Sequence, residues 1–197
     1  MTKISENMRK GYYTQKQLLS MNFAHLGTNV LISKKASIYL PEKISIGSNV
    51  RIDDFCLLVG NIYIGNYVHI AAFTGLHASI GSIFIDDYST LSSQVTIYSA
   101  SDDYSGKSMT NSIIPEEFKN VISDEIKIGR HVIVGTGSTI IPNSIIPDGV
   151  AIGAMSLVNR QLDPWIIYAG IPCHKIRDRD KNILNIEREF LSKEIQK

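Results

Sequence analysis

Ile128-Gly129-Arg130-His131-Val132-Ile133 leads into Val134-Gly135-Thr136-Gly137-Ser138-Thr139 and Ile140-Ile141-Pro142-Asn143-Ser144-Ile145. Ile146-Pro147-Asp148-Gly149-Val150-Ala151 and Ile152-Gly153-Ala154-Met155-Ser156-Leu157 follow, ending on Val158. A branched aliphatic residue opens each block. Four places later stands Val132, Ser138, Ser144, Val150 or Ser156, always small or β-branched. Helices repeat near 3.6 residues and half-buried strands near 2, so neither yields a period of six. A short fixed period marks a solenoid, whose rungs bury their apolar edges on one another. Three such blocks make one triangular turn, with Gly, Asn and Asp at corners where backbone angles are unusual.

Outward from that stretch, the same register is found at Ile46, Ile52 and Leu58, and again at Ile64, Ile70 and Leu76. Near Gly81–Phe84 it slips, which predicts an enlarged corner, and it resumes with Ile85, Leu91 and Ile97. After Asp102 it stops. Residues 103–126 carry no hexads, and a loop of this length inside a compact domain is most often functional. Residues 1–27, with Leu18, Leu19 and Met21, are expected to form a short helical cap over the open end of the column. Residues 28–163 form the column itself. In the closing segment 164–197, Ile183, Leu184, Ile186, Phe190, Leu191 and Ile195 suit an amphipathic helix. About six turns are expected, in a prism roughly 30 Å tall.

Composition narrows the function classes. The 197 residues fit one domain, and a net charge of +1 gives no bulk attraction to nucleic acid or membrane. Cys56 and Cys173 form no disulfide framework, and Cys56 falls on a small inward position of its hexad. The N-terminal stretch lacks a signal-peptide apolar core, and no run is long enough to span a bilayer. A reducing cytoplasm is the expected setting.

The hexads, the long loop after the third inward residue of a turn, and the closing Ala169-Gly170-Ile171-Pro172-Cys173-His174-Lys175-Ile176-Arg177 together resemble the hexapeptide-repeat acyltransferases. The chain is most similar to the galactoside and maltose O-acetyltransferase branch and to sugar acetyltransferases of surface-polysaccharide gene clusters. The resemblance runs from about Gly27 to Arg179 and implies an all-β solenoid, a left-handed parallel β-helix. It also implies a homotrimer in which acetyl-CoA and acceptor meet between two subunits. Left-handed crossovers defy the usual rule for parallel strands, so periodicity alone does not give the hand.

Acetyl transfer needs a base for the acceptor's proton, a donor for the oxyanion and a groove for a phosphate-bearing cofactor. At the corner where the galactoside branch has a histidine, this chain has Asp102, followed by Asp103-Tyr104-Ser105-Gly106. The resemblance then assigns His69 to the cleft as proton acceptor, paired with Asp102 or Asp103 of a neighbouring chain, with His77 second. His131 lies at an outward corner in water. Tyr98, Tyr104 and Ser105 are candidates for sugar hydroxyls. The pantetheine is placed by position along Gly135, Thr136 and Ala154. Asn159 and Arg160 match a polar–basic pair at the nucleotide phosphates. His174 and Arg177 match two family arginines, with Lys175 and Arg179 nearby, and such a cluster holds phosphate oxygens by charge-assisted bonds.

The leading reading is acetyl transfer to a hydroxyl of a sugar or nucleotide-linked sugar. The alternative is N-acetylation of a nucleotide-linked amino sugar, towards which Asp102 tilts because an amine needs less help from a base. A further alternative is a non-catalytic or zinc-binding hexapeptide prism. No metal is expected, since His69 and His77 fall on different faces of the column.

Overall fold

The computed structural model describes residues 10–195. It is a left-handed parallel β-helix of about seven turns with two small helices. The part of the expected cap that falls on residues 1–9 lies outside the described residues.

Three strand ladders make the faces. Face one stacks Leu31–Ile32, Arg51–Ile52, His69–Ile70, Thr90–Leu91, Ile133–Val134, Ala151–Ile152 and Ile166–Ala169. Face two runs through Ile38, Leu58, Leu76, Ile97, Ile140 and Val158, and face three through Leu26, Ile46, Ile64, Ile85, Ile128 and Ile146. The hexad explains this geometry. The first residue of each block points inward, so Ile32, Ile52, Leu58, Ile70, Leu91, Ile97 and Ile140 are all fully buried. The small residue four places later turns the corner inside the prism. Ser89, Ser138, Ser144 and Ser156 are buried there, and their hydroxyls donate to carbonyls such as Gly129 O at 2.8 Å and Gly153 O at 2.7 Å. A buried hydroxyl without such a partner would be costly. Cys56 takes the same inward place and is buried, its thiol pushed up to about 11 by burial.

The slip around Gly81 is a bulge: Gly60 pairs with Ala78, while Ile62 pairs with Ile83. The loop is inserted between faces two and three. Thr96–Ile97 pair directly with Thr139–Ile140, so the ladder closes over the excursion. Ile126, placed in the loop by the hexad reading, belongs to the core and is fully buried in strand Glu125–Ile128.

At the ends, helix Gln15–Leu19 begins with a Thr14 capping box and buries Leu18. The terminal helix Ile183–Ile195 lies along the corner from face three to face one. That corner is a ring stack: Tyr67, Tyr88 and His131 have centroids 5.2 Å apart, and Phe190 meets Tyr67 and Tyr88 edge-on. His131, expected in water, is 5% exposed and meets Glu187 Oε2 at 2.8 Å. The hexad placed it outward correctly, but the terminal helix covers that outside.

Candidate active site

The chain leaves the column at Ser99, whose amide donates to His77 O at 3.0 Å and whose hydroxyl bonds Ile80 O. The loop returns at Asp124, whose amide donates to Ser99 O at 2.9 Å. Ser99 thus rivets both ends of the loop to face two, and Ala100–Ser101 pairs antiparallel with Ile122–Ser123 just beyond. A cavity of about 340 Å³ opens at this root, lined by Ile80, Ser101, Asp102, Glu116 and Lys119 among others. The Asp102 carboxylate has no hydrogen-bond partner among the described residues.

His77 stands below the root of the loop. Its ring stacks on Tyr98, centroids 4.6 Å apart and planes 14° off parallel. Among the described residues its nitrogens make no hydrogen bond. Burial holds the imidazole below its ordinary pKa, so the ring is neutral at pH 7 and free to accept a proton. His69 is different in every respect. It lies on face one, and its Nε2 donates to Asp53 Oδ2 at 2.8 Å. Asp53 also accepts from Arg51 Nε at 2.6 Å and from the Tyr12 hydroxyl at 3.0 Å. Burial pushes the Asp53 carboxyl up, but these bonds outweigh it and hold it down at about 2. Asp53 was absent from the sequence expectations, because its partners come from its own rung, the next rung and the N-terminal segment.

The aspartates at the loop part company as well. Asp103 accepts from the Ser105 amide and the Ser108 hydroxyl, each at 2.8 Å, which makes a turn and keeps its carboxyl below the usual range. Ser105 is thereby engaged through its backbone, and Tyr104 is 94% exposed. Asp102, Tyr98 and His77 share the root of the loop, and His69 does not.

The corner between faces one and two is the second part of the candidate site. Thr136 and Ala154 are exposed there one turn apart, with the Met155 amide donating to Thr136 O at 2.8 Å. Below them lie Ser92 and Ser93. The Gly137 amide donates to Ser93 O at 3.1 Å, and the Thr74 hydroxyl to Ser92 O at 3.2 Å. Neither serine hydroxyl has a hydrogen-bond partner among the described residues, and sequence reasoning passed over both because small residues are common at corners. Higher up, Arg160 Nη2 donates to Cys173 O at 3.0 Å, next to exposed His174, and Asn159 is exposed beside Arg160. Lys175 pairs with Asp178 at 2.7 Å, and Arg177 is exposed with no ion pair among the described residues. Arg179 leaves the expected phosphate cluster. Its Nη1 donates to His131 O at 2.7 Å, Gly149 O at 3.1 Å and Val150 O at 3.2 Å, closing the end of the column.

Residues 43–78 match the family described as bacterial transferase hexapeptide (six repeats). A dTDP-4-amino-4,6-dideoxy-D-glucose acyltransferase of Escherichia coli is 43% identical over 182 residues, 91% of this chain and 94% of the relative. The chain belongs to the hexapeptide-repeat acyltransferases. An aspartate variant of AntD, an N-acyltransferase from Bacillus cereus, solved with dTDP and coenzyme A, superposes with a TM-score of 0.91 at 47% identity. That match covers 93% of this chain and 99% of AntD. AntD has also been solved with dTDP and 3-hydroxybutyryl-CoA, and as variants at one aspartate and one serine. Galactoside O-acetyltransferase of Escherichia coli K12 is 40% identical over 68 residues, 33% of this chain and 30% of that enzyme. No helix of the described acyltransferase is long and apolar enough to cross a membrane, and no group of three His, Cys, Asp or Glu side chains among the described residues is placed to hold a metal ion.

Proposed function

We propose that this acyltransferase moves the acyl group of an acyl-CoA, acetyl in its simplest form, onto the amino group of a dTDP-linked 4-amino-4,6-dideoxyhexose. The observation that carries the acceptor is the 43% identity over nearly the whole chain to an enzyme named for that sugar. The shorter match to galactoside O-acetyltransferase favours a second reading, transfer to a sugar hydroxyl.

The geometry suits the amine. The neutral amine attacks the thioester carbonyl, the C–S bond breaks, and the amine's surplus proton passes to His77 and on to the thiolate of coenzyme A. An amine attacks without prior deprotonation, so an imidazole that only collects the proton suffices. Asp102 accepts a hydrogen bond from the amine and turns its lone pair towards the carbonyl. The serine and aspartate varied in AntD are ten positions apart. At the loop this chain has that spacing in Ser92 with Asp102 and in Ser93 with Asp103. The bonds that engage Asp103 in its turn favour the first pair. Tyr98, Tyr104 and Ser105 face the sugar in this reading. The pantetheine lies along Thr136 and Ala154, with Asn159, Arg160, His174, Lys175 and Arg177 at the phosphates. The enzyme works as a homotrimer in the cytoplasm, where acyl-CoA and nucleotide sugars are made.

Thiol release from acetyl-CoA tests this directly. Release is expected with dTDP-4-amino-4,6-dideoxyglucose, giving an amide by mass spectrometry, and not with galactosides. Equal release with a hydroxyl acceptor would transfer the assignment to O-acetylation.

A further inference from the structure

We infer that Gly75 is a positioning residue: the missing side chain at 75 lets the His77 imidazole lie back along face two, its Nε2 turned towards the serine corner. The inference rests on the reading of His77 as proton acceptor.

A Cβ built on Gly75 would stand 2.8 Å from His77 Nε2 and 3.3 Å from Cδ2 of the same ring, with Thr96 Cγ2 next at 3.5 Å. The nearest obstruction is therefore one imidazole and not the column's backbone. Gly75 is not among the residues with positive φ, so no left-handed turn calls for glycine here. Its rung neighbours on face two are Leu57, Thr96, Thr139 and Leu157, all with side chains. Glycine weakens a strand interior, and where it stands in one it often marks a close approach by another group. At this rung that group is His77, two residues along the same strand.

The ring is held from above by Tyr98, the titratable group stacked on it, while Val59 is its rung partner below. Leaning back over Gly75 carries Nε2 to the start of the strand, immediately after Thr74. There the Thr74 hydroxyl bonds the carbonyl of Ser92 in the next turn. Gly75 and Tyr98 together thus aim an otherwise unbonded imidazole at the corner where the serines and, one turn higher, Thr136 lie.

The experiment is Gly75→Ala on the full-length enzyme, with Tyr98→Leu releasing the same ring from its other side. Histidine NMR titration is read beside kcat and KM. The His77 resonance is assigned by its loss in His77→Gln, and thermal unfolding confirms the fold of each variant. In Gly75→Ala the His77 titration is expected to move up towards that of a solvated imidazole. A displaced ring should lower kcat about tenfold while KM for acetyl-CoA holds. An unchanged titration in folded Gly75→Ala overturns the positioning role. A moved titration with unchanged kcat leaves the positioning intact and overturns His77 as proton acceptor, so the two failures are distinguishable.

Discussion

The two corners that flank face one share a backbone and differ in what covers it. On one side Tyr67, Tyr88 and His131 stack ring on ring, and Glu187 and Phe190 of the terminal helix seal them. On the other side the matching positions hold Phe55, Phe73, Gln94, Gly137 and Met155; Phe55 and Phe73 stack at 5.0 Å on the lower turns, and higher up nothing among the described residues covers Thr136 or Ala154. A solenoid repeats its hydrogen bonds at every turn, so the corner side chains and the helix that docks on them decide which corner becomes packing and which stays open. The covered corner contributes stability, and in our reading the upper turns of the open corner take the cofactor.

The sharpest break of that contrast is to fill the open corner. Ala154→Phe is expected to lower kcat/KM for acetyl-CoA by about a thousandfold, roughly 4 kcal/mol, with little change in Tm. A normal KM in this variant would mean the cofactor lies elsewhere. His77→Ala is expected to lower kcat by about a hundredfold. Because burial holds the His77 pKa down, the wild-type acid limb should fall below the usual imidazole value: activity is lost as pH drops and the ring takes up a proton. The variant should lose that limb. In the filled corner, Phe190→Ala should cost about 2 kcal/mol of stability, since the ring is only partly buried, and leave kcat within error. Calorimetry with steady-state rates separates these.

The smallest effect concerns His69. Asp53→Asn should cost about 1 kcal/mol at neutral pH and leave turnover unchanged. A folded-state pKa of about 2 against an ordinary 3.8 gives stability that is present above the ordinary value. That stability is lost as pH falls through about 2. The gap between wild type and variant should therefore close on acidification, as followed by circular dichroism. A hundredfold loss of turnover in Asp53→Asn would restore His69 to the chemistry.

The column was legible because its period is written in the chain: Ile128 to Val158 fixes inward and outward positions without reference to any partner. The slip at Gly81 showed for the same reason. The site was less so. Outwardness is readable from the hexad, but what lies on the outside is not. His131 and His69 are both outward, two rungs apart, and one meets a helix some fifty residues later while the other meets Asp53. His77 ranked second in the sequence because nothing local reveals that Tyr98 stacks on it across a turn. Asp102, which our reading places in the site, stands out at the break in the repeat; Ser92 does not, because its residue type is what any corner would accept.

Thr96 and Ile97 pair with Thr139 and Ile140 as though nothing intervened. The excursion from Ser99 to Asp124 hangs outside the ladder on a single serine. Its length and composition therefore answer to no rung above or below. In our reading, acceptor preference is then free to drift by exchange of this one cassette, while the shaft proposed to carry the donor stays as it is.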